Sequence, residues 1–404
     1  MPKYKITEVD NTGSLSLNEQ PNVVYIPGAA TSSASGWTKA EPVLVKSAAA
    51  LEALSEAPAS GDTRNYTLTK DASYLIASRL LSLGMQVLYQ PFKATSGAIT
   101  ISEDDWEALQ DKNLYNVRFL TTGGYACPSA DMITCATKRG DCVALVDHAK
   151  TLPNSSESGA DNSYAGKVRR AMATFTSKYA AGFTPWFKAD LGDSALTEVP
   201  ASAGYLFAFA RSVQSNPLWK AAAGVFRGRV PELVSVDYKY TTADCDKLQG
   251  RAEELDGEGD NGAFAINPIC YRRYSGFAGG FNYVIYGNRT LLAPGDKGLQ
   301  ATSFLNVRAL ITELSKTLYD ASITYTFEQN SDVLWINFKS LITPLLDKMQ
   351  SGEGIAGYRL DRIATNKKAR LCARVTIVPI EAVEDFELEI YLEDSLDASL
   401  EVRG

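Results

Sequence analysis

The sequence has a single histidine, His148, among 404 residues. A Ser-His-Asp or Cys-His mechanism would depend on that one side chain. Its neighbour Asp147 is poorly placed to orient the imidazole, because adjacent side chains on a strand point to opposite faces. Neither a G-x-S-x-G nucleophile motif nor a G-x-x-x-x-G-K-S/T phosphate loop occurs. We therefore predict no catalytic residues and expect His148 to be a surface or edge residue.

Cysteine is also scarce, and no C-x-x-C pair occurs among Cys127, Cys135, Cys142, Cys245, Cys270 and Cys372. In a cytoplasmic chain of this size we expect free, buried thiols instead of a zinc site. The acidic residues of 253–260 lack the one-three-five spacing of a calcium loop. We therefore expect a solvated loop there, no metal and no cofactor.

Long apolar runs are absent, and the polar start of the chain does not resemble a signal peptide. We expect neither secretion through such a leader nor insertion into a membrane. The net charge is −7 and the isoelectric point is near 5.1. Because nucleic-acid binding relies on clustered lysine and arginine, this balance argues against nucleic acid as a partner.

Helical and strand patterns alternate from residue 40 to residue 290, which predicts an α/β domain. Predicted strands are residues 23–26, 41–45, 85–89, 142–146, 205–210, 234–236 and 281–286. Predicted helices are residues 47–54, 70–83, 104–110 and 164–179, with Ser47 as a cap and Gly84 as a stop. The small-residue segment 28–36 is predicted to be a loop.

The last hundred residues have a different pattern, in which two helices precede three strands. One apolar stripe starts at Phe304 and a second at Asp332, with Pro344 expected to bend the second helix. Alternation with a period of two follows at 375–377 and 386–392, and it resumes at 396–402. We therefore predict an α+β unit in this part of the chain.

Both ends of the chain carry a strand pattern without a partner nearby in sequence. The candidate strand residues are Tyr4, Ile6, Leu396, Ala398, Leu400 and Val402. A chain end is normally frayed and polar, so ordered strands there need a partner, which a second copy of the chain could supply. Residues 10–22 and 394–395 are the candidate hinges.

Basic residues concentrate near the end of the chain, before the acidic run 381–401. The candidates for contacts between subunits or with a partner surface are Lys339, Lys348, Arg359, Arg362, Lys367, Lys368 and Arg370. The alternative is that these charges form two solvated faces of one domain.

Several segments resemble the contractile tail sheath proteins of phages and phage-like particles, in the same order along the chain. The matching segments are residues 141–147, 184–186 with 199–204, 219–229, 286–292, and 306–308 with 327–328 and 334–335. Ala222 stands where the family often has proline, and the glycines around Gly276 are spaced differently. The resemblance covers the chain from about Gly28 onward.

The resemblance implies an α+β (mixed α/β), two-domain tail-sheath-like fold with extended terminal strand arms. Residues 1–22 would be the N-terminal arm and tether, and residues 23–294 the outer α/β domain. Residues 295–393 would be the inner, tube-facing domain, and residues 394–404 the C-terminal arm.

The resemblance further implies a structural subunit that forms hexameric rings around a tail tube and contracts to drive the tube through an envelope. Its partners would be other copies of itself, the tail tube protein, and the baseplate and tail-terminator proteins. It would act in a virion tail or phage-like particle assembled in the bacterial cytoplasm. Two alternatives are a soluble α/β hydrolase, which would need His148 or a metal, and a non-contractile capsid or surface-layer protein.

Overall fold

A computed structural model describes residues 20–58, 64–126, 128–152, 154, 160–250, 265–276, 280–293, 300–365 and 370–383. Several predicted contact residues lie outside these ranges: Tyr4 and Ile6 near the N-terminus, Lys367 and Lys368 of the basic set, and Leu396, Ala398, Leu400 and Val402 near the C-terminus. The same holds for Cys127, the predicted strand 386–392 and the acidic segment 253–262.

Within the described residues, strands and helices alternate through the first two thirds of the chain. The strands are β1 Val23–Ser32, β2 Val43–Val45, β3 Tyr66–Leu68, β4 Gln86–Lys93, β5 Phe119–Leu120, β6 Val143–Asp147, β7 Ala180–Thr184, β8 Phe187–Ala189, β9 Thr197–Val199, β10 Leu233–Val236, β11 Ile266–Arg273, β12 Phe281–Ile285, β13 Ile355–Arg362 and β14 Ala373–Pro379. The helices are α1 Ala48–Ser55, α2 Ala72–Ser82, α3 Glu103–Ala108, α4 Ser129–Arg139, α5 Tyr164–Met172, α6 Ala201–Ser215, α7 Gly224–Arg227, α8 Thr242–Leu248, α9 Leu305–Thr324 and α10 Asp332–Ser351. This content confirms the predicted α+β class.

A nine-stranded mixed sheet forms the centre of the larger unit, in the order β12-β11-β7-β6-β5-β1-β4-β2 with β3 paired to β1. Strands β4, β1, β5, β6, β7 and β11 are parallel, and β2, β3 and β12 pair antiparallel with their neighbours. Successive side chains of β1 enter different cores, since Val24 packs on the α2 and α6 side and Tyr25 on the α3 and α4 side. Helices therefore cover both faces, as parallel sheets require. We call this unit the sheet body.

The segment 205–210 was predicted to be a strand, and this prediction is wrong. It lies inside α6, where Tyr205, Phe207 and Phe209 are all buried. A helix that is apolar on every side lacks the polar stripe that distinguishes helical from extended periodicity. The packing of α6 between the sheet and α2 decides the conformation.

The predicted loop at 28–36 is wrong in its first half, because β1 continues through Gly28 to Ser32, and only residues 33–36 lie outside the strand. A Cβ atom at Gly28 would lie 1.7 Å from the Tyr89 hydroxyl oxygen, so the strand needs a residue without a side chain there. The predicted helix 164–179 is too long, since α5 ends at Met172 and β7 begins at Ala180. Several elements were not predicted, among them the strands β7, β11 and β13 and the helix α4.

The last described part of the chain forms a second unit, which we call the helical unit: α9, α10 and the antiparallel hairpin β13–β14. Both predicted helices are present, and α10 runs through Pro344 without ending there. Leu310, Phe338, Ile342 and Leu346 pack together in the core of this unit.

Five cysteines lie in the described residues and all five are free, which agrees with the prediction, although Cys372 is only half-buried. No group of three potential metal ligands occurs among the described side chains. Of the helices described, none combines the length and the apolar character that crossing a bilayer requires.

Candidate functional site at the domain junction

Trp219 joins the sheet body to the helical unit. It follows α6 in sequence, but its ring packs in the core of the helical unit with Leu310 and Met349. The indole Nε1 donates a hydrogen bond to the Gly352 carbonyl at 2.8 Å. A Cβ atom at Gly352 would lie 2.8 Å from the ring, so the indole fits because this position is glycine. The tryptophan therefore fills a space that α9, α10 and the start of β13 enclose.

Two asparagines hold the beginning of α9 to the same place. The Asn288 side chain donates to Asn306 Oδ1 at 2.7 Å, and the Asn288 carbonyl accepts from the Leu305 amide at 2.8 Å. Asn306 Nδ2 in turn donates to the Trp219 carbonyl at 3.2 Å. Segments 219–229, 286–292 and 306–308 were identified separately as sheath-like sequences. The structure brings all three together at this junction, which sequence spacing alone could not show.

Buried charges connect α9 to the sheet body along the edge where β5 and β6 begin. Arg118 Nη2 donates to Glu313 Oε2 at 2.5 Å, and the two side chains are 1% and 4% exposed. Lys316 Nζ lies 3.1 Å from Asp141 Oδ2, and the same carboxylate pairs with Arg139. These side chains were not recognised from sequence, because no local pattern marks partners nearly two hundred positions apart.

Polar contacts offset part of the cost of burying Lys316 in this cluster. Burial lowers the pKa of Lys316, and the Asp141 carboxylate opposes that shift. The Lys316 ammonium also donates to Asn116 Oδ1 at 2.6 Å. Gln20, the first described residue, donates its amide hydrogen to Glu313 Oε1 at 3.1 Å. The N-terminal segment therefore contacts α9 directly.

A second cluster lies where β6 and β7 end, and it accounts for two further sheath-like segments. Asp147, the last residue of β6, accepts from the Ser202 amide at 2.9 Å in the first turn of α6. Burial raises the pKa of Asp147 to about 7. A cis peptide joins Thr184 to Pro185, and Trp186 Nε1 donates to the His148 carbonyl at 2.9 Å. Asp147 therefore anchors a helix and is not directed at the imidazole.

His148 is not the surface residue that was predicted, since it is 3% exposed. Its Nδ1 lies 2.8 Å from the Ala149 carbonyl, so that nitrogen is the donor, and burial lowers the pKa of the ring. Nε2 has no hydrogen-bond partner among the described residues. The prediction failed because Tyr164, packed edge-on at 5.9 Å, covers the ring from a helix further along the chain.

The described members of the predicted basic set are all exposed, namely Lys339, Lys348, Arg359, Arg362 and Arg370. Arg359 pairs with Asp361 at 2.7 Å, and Arg362 pairs with Asp332 at 2.6 Å. Lys339 and Lys348 lie on α10, and the Arg370 carbonyl accepts from Asn330. These charges share the helical unit but do not converge on one cluster, so their role as contact residues stays a prediction.

No protein-family model matches the sequence, and no curated protein matches it either. Among solved structures, sheath subunits of contractile injection systems and a sheath tail protein share the fold over nearly the whole chain. The chain therefore has the fold of the contractile sheath proteins, which confirms the resemblance at the level of the fold.

One such structure is the PVC sheath of an extracellular contractile injection system in its contracted state. It is 18% identical, the match covers 98% of both chains, and the TM-score is 0.64. The helical sheath of the anti-feeding prophage in its contracted state is 16% identical over 97% of this chain and 99% of that chain, with a TM-score of 0.61. A sheath tail protein from Desulfitobacterium hafniense is 8% identical over 94% of this chain and 100% of that chain, with a TM-score of 0.50.

Proposed function

We propose that this chain is the sheath subunit of a contractile injection particle. It would polymerise as hexameric rings around a tail tube and contract to drive the tube through a cell envelope. The observation that carries the proposal is the fold shared over 98% of both chains with a contractile sheath subunit. No catalytic activity and no cofactor are part of this function, because the energy is stored in the assembly.

We assign residues 295–393 to an inner, tube-facing domain and residues 23–294 to an outer domain. The helical unit supports this assignment, since it exposes apolar and basic side chains in its α9–α10 region. Phe327 is fully exposed, Val333 and Ile336 are 64% and 59% exposed, and Lys339 lies on the same helix. Exposed apolar groups of this kind mark protein contact surfaces, and the tail tube is the proposed partner.

The β13–β14 hairpin supports the proposed exchange of terminal arms. It is a separate two-stranded sheet in the described chain, with Val378 57% exposed. Its inner face packs on the core between α9 and α10 through Leu360 and Val375. A sheet with only two strands among the described residues can accept further strands, which the arms 3–9 and 396–402 of other copies would add. Each added backbone hydrogen bond contributes about 0.5 to 1.5 kcal/mol net.

The domain junction gives this mechanism a rigid part. Trp219, the Asn288–Asn306 pair and the buried charges around Glu313 fix the helical unit to the sheet body. Contraction would then rotate each subunit as one body, while the tethers at 10–22 and 394–395 change direction. Baseplate and tail-terminator proteins would bind the two ends of the polymer.

Electron microscopy of the purified chain, with and without its tube protein, tests the proposal. We expect the purified chain to form tubular polymers. In the bacterium, we expect the same polymers to assemble in the cytoplasm as part of the particle tail. Persistent monomers under all assembly conditions would contradict it, and sheets or shells would favour a capsid or surface-layer protein.

Deleting residues 396–404 tests the arms separately. The shortened chain should fold, with an unchanged circular dichroism spectrum, but should not polymerise. A matched control replaces Asp397 and Glu401 by Asn and Gln, which keeps the alternating apolar residues Leu396 and Leu400 and should keep polymerisation. Tubes of normal length from the deletion would disprove the arm mechanism.

His148→Ala gives the contrast with a hydrolase. Under the sheath proposal this change leaves assembly intact, because His148 lies outside the junction and the hairpin. Hydrolysis of ester or peptide substrates by the wild type, lost in the variant, would show that the non-enzymatic assignment is wrong.

A further inference from the structure

Two buried cysteines lie against each other on neighbouring elements of the sheet body. Cys245 of α8 and Cys270 of β11 have Sγ atoms 2.6 Å apart, and the residues are 2% and 1% exposed. A disulfide bond is about 2.05 Å long, so the sulfurs need to approach by only about 0.5 Å. Neither residue takes part in the domain junction or in the β13–β14 hairpin.

We propose that Cys245 and Cys270 are an oxidation site, at which exchange with a small-molecule disulfide such as oxidised glutathione forms an intramolecular disulfide. The reducing cytoplasm keeps the pair as thiols during assembly. A particle that is released to act on another cell leaves that environment, and this step of the inference rests on the proposed function. The disulfide then joins α8 covalently to the sheet without involving a second subunit.

The surroundings assign different chemical roles to the two sulfurs. The hydrogen bond from Cys270 lowers the pKa of Cys245, and the same bond together with burial raises the pKa of Cys270. Cys245 also lies on the short helix α8, whereas Cys270 lies within β11, so a small displacement exposes Cys245 first and makes it the attacking thiolate. It bonds to one sulfur of the glutathione disulfide and releases one glutathione thiolate. Cys270 then gives its proton to that thiolate, attacks Cys245 Sγ and releases the second glutathione.

The exchange is balanced, since the protein loses two electrons and two protons while one disulfide is reduced to two thiols. Reaction requires local displacement of α8, which is a short helix. The buried side chains of α8 are Cys245 and Leu248. Arg169 of α5 donates a hydrogen bond to the Lys247 carbonyl, and Asp161, which precedes α5, pairs with the Lys247 ammonium. Little of the sheet body has to move for a small thiol reagent to reach Cys245.

The cross-link should stabilise the sheet body, because it joins residues 25 positions apart and so restricts the unfolded chain. For a closed loop of this length in a domain of this size, we expect the melting temperature to rise by about 5 °C. The other buried thiols should not react. Burial raises the pKa of Cys135 to about 11 and that of Cys142 to about 12, so their thiolates are rare at neutral pH.

The test incubates the full-length chain with oxidised glutathione and then counts free thiols in denaturant. The reduced wild type has six thiols, and four should remain after oxidation. Peptide mapping by mass spectrometry should find the Cys245 peptide linked to the Cys270 peptide. Melting of the same samples should show the increase of about 5 °C, which dithiothreitol reverses.

Three variants complete the test. Cys245→Ala and Cys270→Ala should each keep all five remaining thiols and show no change in melting temperature on oxidation. Cys135→Ala removes an equally buried thiol and should still fall from five thiols to three. Six unreacted thiols in the wild type would overturn the proposal, and so would a cross-link that maps to other cysteines. Both readings use the wild type, so they stand even where a variant folds poorly, and neither depends on polymerisation.

Discussion

Replacing Glu313 by glutamine removes one charge from the buried pair that connects α9 to the sheet body. Arg118 is 1% exposed and then has no carboxylate opposite its guanidinium. An uncompensated buried charge destabilises a protein by about 3 to 5 kcal/mol. We therefore expect Glu313→Gln to lower the free energy of unfolding by about that amount, although the substitution hardly changes the shape of the side chain.

The measurement is urea denaturation followed by circular dichroism and tryptophan fluorescence. Glu328→Gln, at an exposed position of the α9–α10 connection, is the matched control and should change stability by less than about 0.5 kcal/mol. The double substitution Arg118→Met with Glu313→Leu removes both charges and should recover most of the loss, because burying apolar groups there needs no compensation. If Glu313→Gln and Glu328→Gln have equal effects, the buried pair does not hold the units together.

Three further changes test other parts of the structure. Trp219→Ala should lower the free energy of unfolding by about 3 to 5 kcal/mol because of the cavity it leaves. Trp219→Phe loses chiefly the hydrogen bond to Gly352 and should lower it by less. Urea titration and limited proteolysis of the helical unit compare the two variants, and equal losses would show that the indole hydrogen bond matters more than the cavity. Gly28→Ala should destabilise strongly because its Cβ overlaps Tyr89, while Gly357→Ala has open space and should not, and thermal melting compares the two. Burial raises the pKa of Asp147 from 3.8 to about 7, so its contribution to stability is complete below pH 4 and is lost as the pH rises to about 7. Asp147→Asn should remove that part of the pH dependence of stability. If stability depends on pH in the same way in the variant, Asp147 is not the group responsible.

Elements with a clear period were predictable from sequence. Helices α9 and α10 each have one apolar stripe and one polar face, and β6 is a short apolar run that ends at an aspartate. Helix α6 was not predictable in this way, because Tyr205 and its neighbours are buried on every side. The contacts of the central strand decide that Gly28 continues β1, and those contacts involve Tyr89, which is far away in sequence.

The domain junction was only partly predictable. The segments that meet there were visible as sheath-like sequences, but nothing in their spacing shows that Asn288 and Trp219 share a partner in Asn306. Arg118 and Glu313 are 195 positions apart, and each alone resembles an ordinary surface charge. Burial of such groups depends on how the helical unit packs on the sheet body, which local periodicity does not encode.

A reconstruction of the assembled polymer by electron cryo-microscopy tests the central claim most directly. We predict a helical tube in which strands from residues 3–9 and 396–402 of other copies extend each β13–β14 hairpin, with the domain junction unchanged. A polymer in which both terminal segments pair within their own subunit, leaving the hairpin edges open, would contradict the account.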